Sequence, residues 1–291
     1  MSHTILLYYK YTQIENPAEF MDSHRALCKS LNLKGRIIIA KEGINGTVEG
    51  LTKDTEEYIK KFTSDERFSD IVFKKSAGTG DAFPKMSIKV RDEIVTSHLG
   101  EKDVDPNVMT GKRLDPSELD QWYEDKKDFV IVDMRNDYEF NVGHFENSIM
   151  PGMQVFSDLK EIIPKIEEFR DKKIITVCTG GVRCEKASGY LVQEGFNDVY
   201  QLDGGMATYL DRHPGKHFKG KLYVFDKRIV MQTENQGVIG KCIRCENLSD
   251  DFINCTNLKC NDHVICCLNC RDEDGRGFCS QKCESVLIQS K

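Results

Sequence analysis

The chain has 291 residues, 39% hydrophobic and 30% charged, with a net charge of −6, a composition suited to a globular protein of two domains or of two plus a small appendix. No apolar run approaches the roughly 18–20 residues that cross a bilayer, so a membrane-spanning helix is excluded. The acidic balance gives no electrostatic signature of a nucleic-acid binder, although Lys34, Arg36 and Lys41 form a small cluster, as do Lys216, Lys219 and Lys221.

The N-terminal "MSHTILLYYKYTQ" has no basic leader and no small-residue cleavage site; it reads as a strand over 4–11, and a cytoplasmic protein is expected. Asn16-Pro17 starts a helix, with Phe20, Met21, His24, Leu27, Cys28 and Leu31 on one face. Strands at 36–40 and 46–50 are joined through "KEGIN". Thr52 opens a second helix with Tyr58, Ile59 and Phe62 inward, and a fourth strand is expected at 70–76. The order β-α-β-β-α-β predicts an α+β ferredoxin/acylphosphatase-like domain over 1–97, with 87–96 as an extended exit segment.

A linker runs from 97 to 114. Asp115 and Pro116 then cap a helix, with Glu118 placed to complete a capping box. The runs 129–134 and 173–178 are apolar and β-branched, as buried parallel strands are, and 198–202 is a further strand. Helical patterns fall at 158–170 and 184–194, the second ended by Gly195. A doubly wound α/β parallel-sheet domain over 114–213 follows. Residues 214–291 hold a strand pair and a cysteine-rich tail.

Binding crevices in open parallel sheets lie at the carboxyl ends of strands, and Cys178 sits at one such end. Thr179, Gly180, Gly181 and Val182 form a tight loop before a helix, with backbone amides free to turn inward. Arg183 adds positive charge, and a thiol so placed is shifted toward its reactive thiolate. Cys184 is either a resolving thiol or a small core residue. Asp133, Arg135, Glu139 and His144 are read as structural groups that fix the loops.

Nine of the 12 cysteines lie between Cys242 and Cys283. The pairs Cys242/Cys245, Cys255/Cys260, Cys267/Cys270 and Cys279/Cys283 supply eight ligands for two closed structural zinc sites, paired either sequentially or interleaved. Cys266 and His263 are spare candidates.

"CTGGVR" (178–183), "VDMRNDYEFNVGHFENSIMP" (132–151) and "GFNDVYQLDGGMATY" (195–209) resemble the three motifs of a rhodanese-like domain. With "KEGINGT" and "FPKMSIKVRDEIV" before them and the cysteine-rich tail after, nearly the whole chain resembles the bacterial rhodanese-domain tRNA uridine 5-hydroxylase family. That resemblance implies hydroxylation of the wobble uridine, in the anticodon region of tRNA, with dioxygen as co-substrate. The product would be 5-hydroxyuridine. No G-x-G-x-x-G opens a helix, and no flavin or haem is expected. Chemistry then points to Cys178 adding to the electrophilic 6-carbon of uracil, with the loop amides and Arg183 holding an oxyanion or a reactive sulfur species. A persulfide sulfurtransferase and a non-enzymatic binding module are the alternatives. The sequence leaves the oligomeric state open.

Overall fold

In the computed structural model, which describes residues 2–231 and 237–288, the first domain contains β1 (His3–Tyr11), α1 (Pro17–Ser30), β2 (Lys34–Ala40), β3 (Gly43–Leu51), α2 (Thr52–Phe62), β4 (Lys74–Gly78) and β5 (Met86–Val90). The sheet order is β4-β1-β3-β2-β5. The first four strands pair antiparallel in the ferredoxin-like arrangement, and β5 extends the sheet parallel to β2. Pro17 opens α1, and the Asn16 side chain accepts from the Glu19 amide. Leu6 and Tyr8 point from β1 into the core with Tyr58, Phe62 and Phe68. His24 completes a buried chain through Tyr58 Oη at 2.8 Å, and burial pushes its imidazole down to about 4, so it packs uncharged.

Two expectations shift here. The fourth strand starts at Lys74, not at residue 70, because Asp70–Phe73 is needed to carry the chain from a 3-10 turn at Glu66–Phe68 to the sheet edge. The extended stretch 87–96 is a strand only to Val90.

The second domain contains β6 (Lys112–Leu114), α3 (Pro116–Glu124), β7 (Val130–Asp133), α4 (Asp137–Val142), β8 (Gly143–Phe145), α5 (Ile163–Ile166), β9 (Lys173–Val177), α6 (Val182–Gln193), β10 (Asp198–Leu202) and α7 (Gly205–Arg212). A parallel sheet runs β6-β10-β9-β7. β7 is buried throughout, as the continuous apolar run requires. The Asp115 carboxylate accepts from the Ser117 amide at 2.8 Å, and no bond from Glu118 returns to it. The helix expected at 158–170 is broken into 3-10 turns around α5. Pro164 has no N–H to donate and its ring opposes the preceding turn, so helix can only restart there.

The segment expected as a linker is part of the fold. Leu99 and Val104 are buried in the core beside β7 and β9, and its last residues form β6. Lys186 on α6 binds it to both domains: its side chain is wholly buried, 2.9 Å from Glu42, 3.1 Å from Glu93 and 2.9 Å from Asp103.

The remaining elements are β11 (Phe218–Gly220), which pairs with β8, then β12 (Leu222–Tyr223) with β13 (Val230–Met231), β14 (Phe252–Asn254) with β15 (His263–Ile265), and α8 (Gln281–Ile288). No helix among the described residues is long and apolar enough to cross a membrane.

Candidate active site and metal centres

β9 delivers the chain to Cys178, and a three-residue turn through Thr179, Gly180 and Gly181 leads into α6. The Gly181 amide donates to Cys178 Sγ at 3.1 Å. Gly181 has φ +102°, which a side chain would strain. The start of α7 clamps the loop from outside: the Met206 amide donates to the Cys178 carbonyl at 2.9 Å, and the Ala207 amide to the Thr179 carbonyl at 3.0 Å. A Cβ on Gly205 would lie 2.7 Å from the Cys178 carbonyl oxygen and 2.8 Å from the Gly181 nitrogen. Gly205 is therefore the contact that lets α7 hold the Cys178 loop.

Burial alone would push the Cys178 thiol up. The Cys184 side chain, the Arg183 charge and the amides of Cys184 and Gly181 outweigh it and bring the thiol down to about 6. Cys184 moves the other way: burial and the neighbouring Cys178 charge hold its proton on. Of the two sulfurs, Cys178 is thus the one held toward thiolate and Cys184 the one held as thiol.

Arg183 reaches the loop differently from its sequence reading. Its guanidinium forks onto Glu139, with contacts of 2.6 and 2.9 Å, and both side chains are buried. It acts on Cys178 through space, not as an open anion hook. Thr179 Oγ1 also donates to Glu139, at 3.3 Å. Asp133 and Arg135 form a fully buried pair at 2.7 Å, and Arg135 donates to the Gly143 carbonyl at 2.6 Å. His144 Nδ1 lies 2.9 Å from the Phe140 carbonyl. These four residues fix the surrounding loops.

Sequence reasoning missed the neighbour that covers the loop. Leu7, Tyr9 and Tyr11 alternate on the face of β1 opposite Leu6 and Tyr8. A Cβ on Gly180 would lie 3.0 Å from Leu7 Cδ2, and one on Gly181 would lie 2.8 Å from Tyr9 Oη. Tyr11 Oη donates to the Val182 carbonyl at 3.2 Å, and Tyr9 Oη to Glu185 at 3.0 Å. Glu185 also accepts from Arg113 at 2.6 Å and from Gln201 at 3.0 Å. With β1 packed here, Cys178 has no exposed surface. Tyr9 and Glu185 also line a cavity of about 590 Å³, together with Lys10, Lys74, Arg113 and Arg212 among others. Burial pushes Lys74 down to about 8, against the pull of the Cys178 charge. The signal was present in "YYKY": one domain can bury only one face of this strand, so aromatic side chains on both faces imply a second packing partner.

In the tail, Cys242, Cys245, Cys267 and Cys270 converge, as do Cys255, Cys260, Cys279 and Cys283, each set with all sulfurs within 4.8 Å. The pairing is interleaved, first with third and second with fourth. Cys245 and Cys267 are 3.6 Å apart, and Cys279 lies 3.5 Å from both Cys260 and Cys283. Sulfurs about 2.3 Å from a tetrahedral zinc are about 3.8 Å apart, so both sets fit a closed four-thiolate site. Cys266 lies outside both, near the carbonyls of Cys267 and Cys270, and His263 bonds Tyr223 and Asn254 instead.

Residues 3–94 match the family model described as UPF0176 acylphosphatase like domain, 115–212 the rhodanese-like domain, and 219–284 the rhodanase C-terminal region. A tRNA uridine(34) hydroxylase of Staphylococcus haemolyticus is 48% identical, over 97% of this chain and 89% of that protein. One from Bacillus licheniformis is 46% identical over 91% and 83%, and one from Staphylococcus carnosus 45% identical over 94% and 91%.

Proposed function

This chain belongs to the tRNA uridine(34) hydroxylase family, and from that premise we propose that it hydroxylates the 5-carbon of the wobble uridine of tRNA with dioxygen, giving 5-hydroxyuridine. Cys178 is the nucleophile. The observation that supports this is the turn after β9: the Gly181 amide donates to Cys178 Sγ at 3.1 Å, and the Cys184 side chain, the Arg183 charge and that amide favour the thiolate.

The thiolate adds to the 6-carbon of uracil, forming a sulfur–carbon bond and moving the ring π pair onto the 5-carbon and the 4-oxygen. Dioxygen takes up that pair at the 5-carbon and one proton, giving a hydroperoxide. Loss of the 5-hydrogen as a proton restores the ring double bond and expels the Cys178 thiolate. The thiolate then attacks the outer peroxide oxygen, leaving the 5-hydroxyl and a sulfenic acid on Cys178. Cys184 displaces water from that sulfur and closes a disulfide. In sum, uridine, dioxygen and two thiols become 5-hydroxyuridine, water and one disulfide, which a small cellular thiol reduces. Within the turn of Thr179, Gly180, Gly181 and Val182, the Gly181 amide favours the ionised sulfur, and Arg183 contributes its charge from the Glu139 pair.

Two zinc ions brace the tail through the interleaved cysteines. The anticodon region of tRNA is the partner, and the protein works in the cytoplasm, where that tRNA is found. The test is nucleoside analysis of tRNA from cells carrying the native protein or Cys178→Ala. Loss of 5-hydroxyuridine in the variant supports the reading; the same uridine content in both refutes it.

A further inference from the structure

Far along α3 from its cap, Asp120 and Glu124 stand four residues apart, so both carboxylates lie on one helix face. His217, just ahead of β11, faces them. Its Nε2 lies 3.7 Å from Asp120 Oδ1 and 3.7 Å from Glu124 Oε1, and one donor atom from each of the three residues falls within 4.8 Å of the others. Both gaps exceed a hydrogen bond, so Nε2 has no hydrogen-bond partner among the described residues, although the atom is cut off from solvent. An unsatisfied buried ring nitrogen is costly, and a ligand held between it and the carboxylates removes that cost. An imidazolium would close onto one carboxylate at hydrogen-bond distance; this ring stands back from both by the same amount.

The surroundings fix the ring. Tyr123, beside Glu124 on α3, stacks on it with centroids 4.2 Å apart and planes 6° apart. The Glu146 amide donates to the His217 carbonyl at 2.8 Å, and the Glu146 carboxylate lies 3.6 Å from Nδ1. A carboxylate on that side keeps the ring proton on Nδ1 and leaves the Nε2 lone pair free, which is how metal-bound histidines are oriented.

We infer that Asp120, Glu124 and His217 hold a third divalent ion, of the zinc class, apart from the two cysteine sets. Donors about 2.1 Å from such an ion are about 3.4 Å apart at the tetrahedral angle, so each 3.7 Å gap closes with a shift of about 0.3 Å. The imidazole nitrogen selects zinc and its neighbours over magnesium and calcium. The donor set carries two negative charges, which one such ion neutralises. Three ligands leave a fourth position, and Glu124 is half exposed, so water completes the shell. Lys216 is the competitor: its ammonium lies 2.9 Å from Asp120 Oδ2 and 3.7 Å from Glu124 Oε1, on a side chain that is itself half exposed and free to swing out. The other polar neighbours of Asp120 are Tyr209 Oη, 3.3 Å from Oδ1, and His213 Nδ1, 3.6 Å from Oδ2; each carboxylate oxygen keeps a lone pair to spare. With three ligands and a rival cation, this ion exchanges more readily than those held by four thiolates, and protein purified without added metal keeps the two in the tail. Its binding ties α3 to β11, where the chain leaves the second domain for the tail.

The experiment titrates full-length protein, with its cysteine sites already loaded, with zinc in equilibrium dialysis, beside His217→Ala, Glu124→Gln, Glu146→Gln and Lys216→Met. Native protein is expected to take up one further ion per chain that excess magnesium does not displace, and its thermal midpoint is expected to rise with free zinc. His217→Ala and Glu124→Gln are expected to lose that ion and that rise. Glu146→Gln should weaken binding about tenfold, as loss of a partner behind a ligand does. Lys216→Met should bind more tightly. No further ion in the native protein overturns the inference, and so does displacement by magnesium. A native affinity in Glu124→Gln, a change to an exposed side chain, also overturns it and decides the matter where His217→Ala does not fold. A further ion that survives every substitution is adventitious zinc held elsewhere, and overturns it as well.

Discussion

Tyr9 on β1 donates a 3.0 Å hydrogen bond to Glu185 on α6, joining the first sheet to the helix that leaves the Cys178 loop. Glu185 follows Cys184 directly in sequence, so the contact that seals the domains is one residue from the thiol that pairs with Cys178. Next along the same helix, Lys186 gathers Glu42, Glu93 and Asp103. The run Cys184-Glu185-Lys186 therefore does two jobs within one turn. Its first residue neighbours Cys178, and the other two hold the neighbouring domain over the loop.

Gly181→Ala tests the tightness of that seal. Its Cβ would lie 2.8 Å from Tyr9 Oη, at a residue with φ +102°. Backbone strain of about 1–3 kcal/mol is expected, together with displacement of Tyr9. Thermal unfolding should show a lower midpoint, and Cys178 should react faster with a small alkylating reagent. A native melting temperature with native reactivity would mean that β1 does not press on the loop.

Lys186→Met removes a buried cation and leaves three carboxylates facing one another. Breaking such a pair costs about 3–5 kcal/mol; Glu42, Glu93 and Asp103 keep some contact with solvent, so about 3 kcal/mol is expected. The sign with pH follows from the partners. Lys186 has its pKa raised, so in the native protein its contribution is complete below about pH 10.4 and is lost only as pH rises past its folded value. In the variant Glu42, whose carboxyl is already raised by burial and loses the lysine that opposes this, takes up a proton as pH falls. The difference in stability from native, read by denaturant unfolding, should therefore be smaller at pH 5 than at pH 8. Equal differences at both would contradict the ion cluster.

The Cys178 thiolate is directly measurable. The difference in ultraviolet thiolate absorbance between native protein and Cys178→Ala should titrate with a midpoint of about 6. Cys184→Ala removes the S–H donor and should move that midpoint upward. A difference signal that appears only above pH 8 would leave the site without its nucleophile at neutral pH.

The sequence revealed each domain more readily than their union. Strong alternation and helix caps place β1, α1, β2, β3 and α2, because these elements bury long apolar faces locally. β6 escaped because it is three residues long and Lys112-Arg113-Leu114 has the polarity of a loop; only pairing with β10 makes it a strand. Cys178, its glycines and Arg183 stood out as a motif. Lys74 and Tyr9 did not, since a lysine and a tyrosine in a strand carry no chemistry until another domain is packed on them. Arg183 is the corrective case: its charge was legible, but its Glu139 partner lies 44 residues away and only folding brings them together.

The tail shows the same limit and gives the sharpest metal test. Cysteine pairs at short spacing announce two sites, but which pairs combine is a tertiary fact, and the fold interleaves them. Interleaving ties the two sites mechanically, because the chain between the first and third pairs carries the second pair. Elemental analysis of protein purified without chelator should give about two zinc ions per chain, from four ligands per closed site. Cys266→Ser should retain both, since that sulfur belongs to neither set. Cys270→Ser should lose the ion of the first set and loosen the second, read as faster zinc release to a chromogenic chelator. Sequential pairing predicts another result: Cys270 and Cys283 would then share a site, and Cys270→Ser would spare the ion held by Cys242 and Cys255. Loss of zinc in Cys266→Ser, or a second site in Cys270→Ser that releases its metal at the native rate, would overturn the interleaved arrangement.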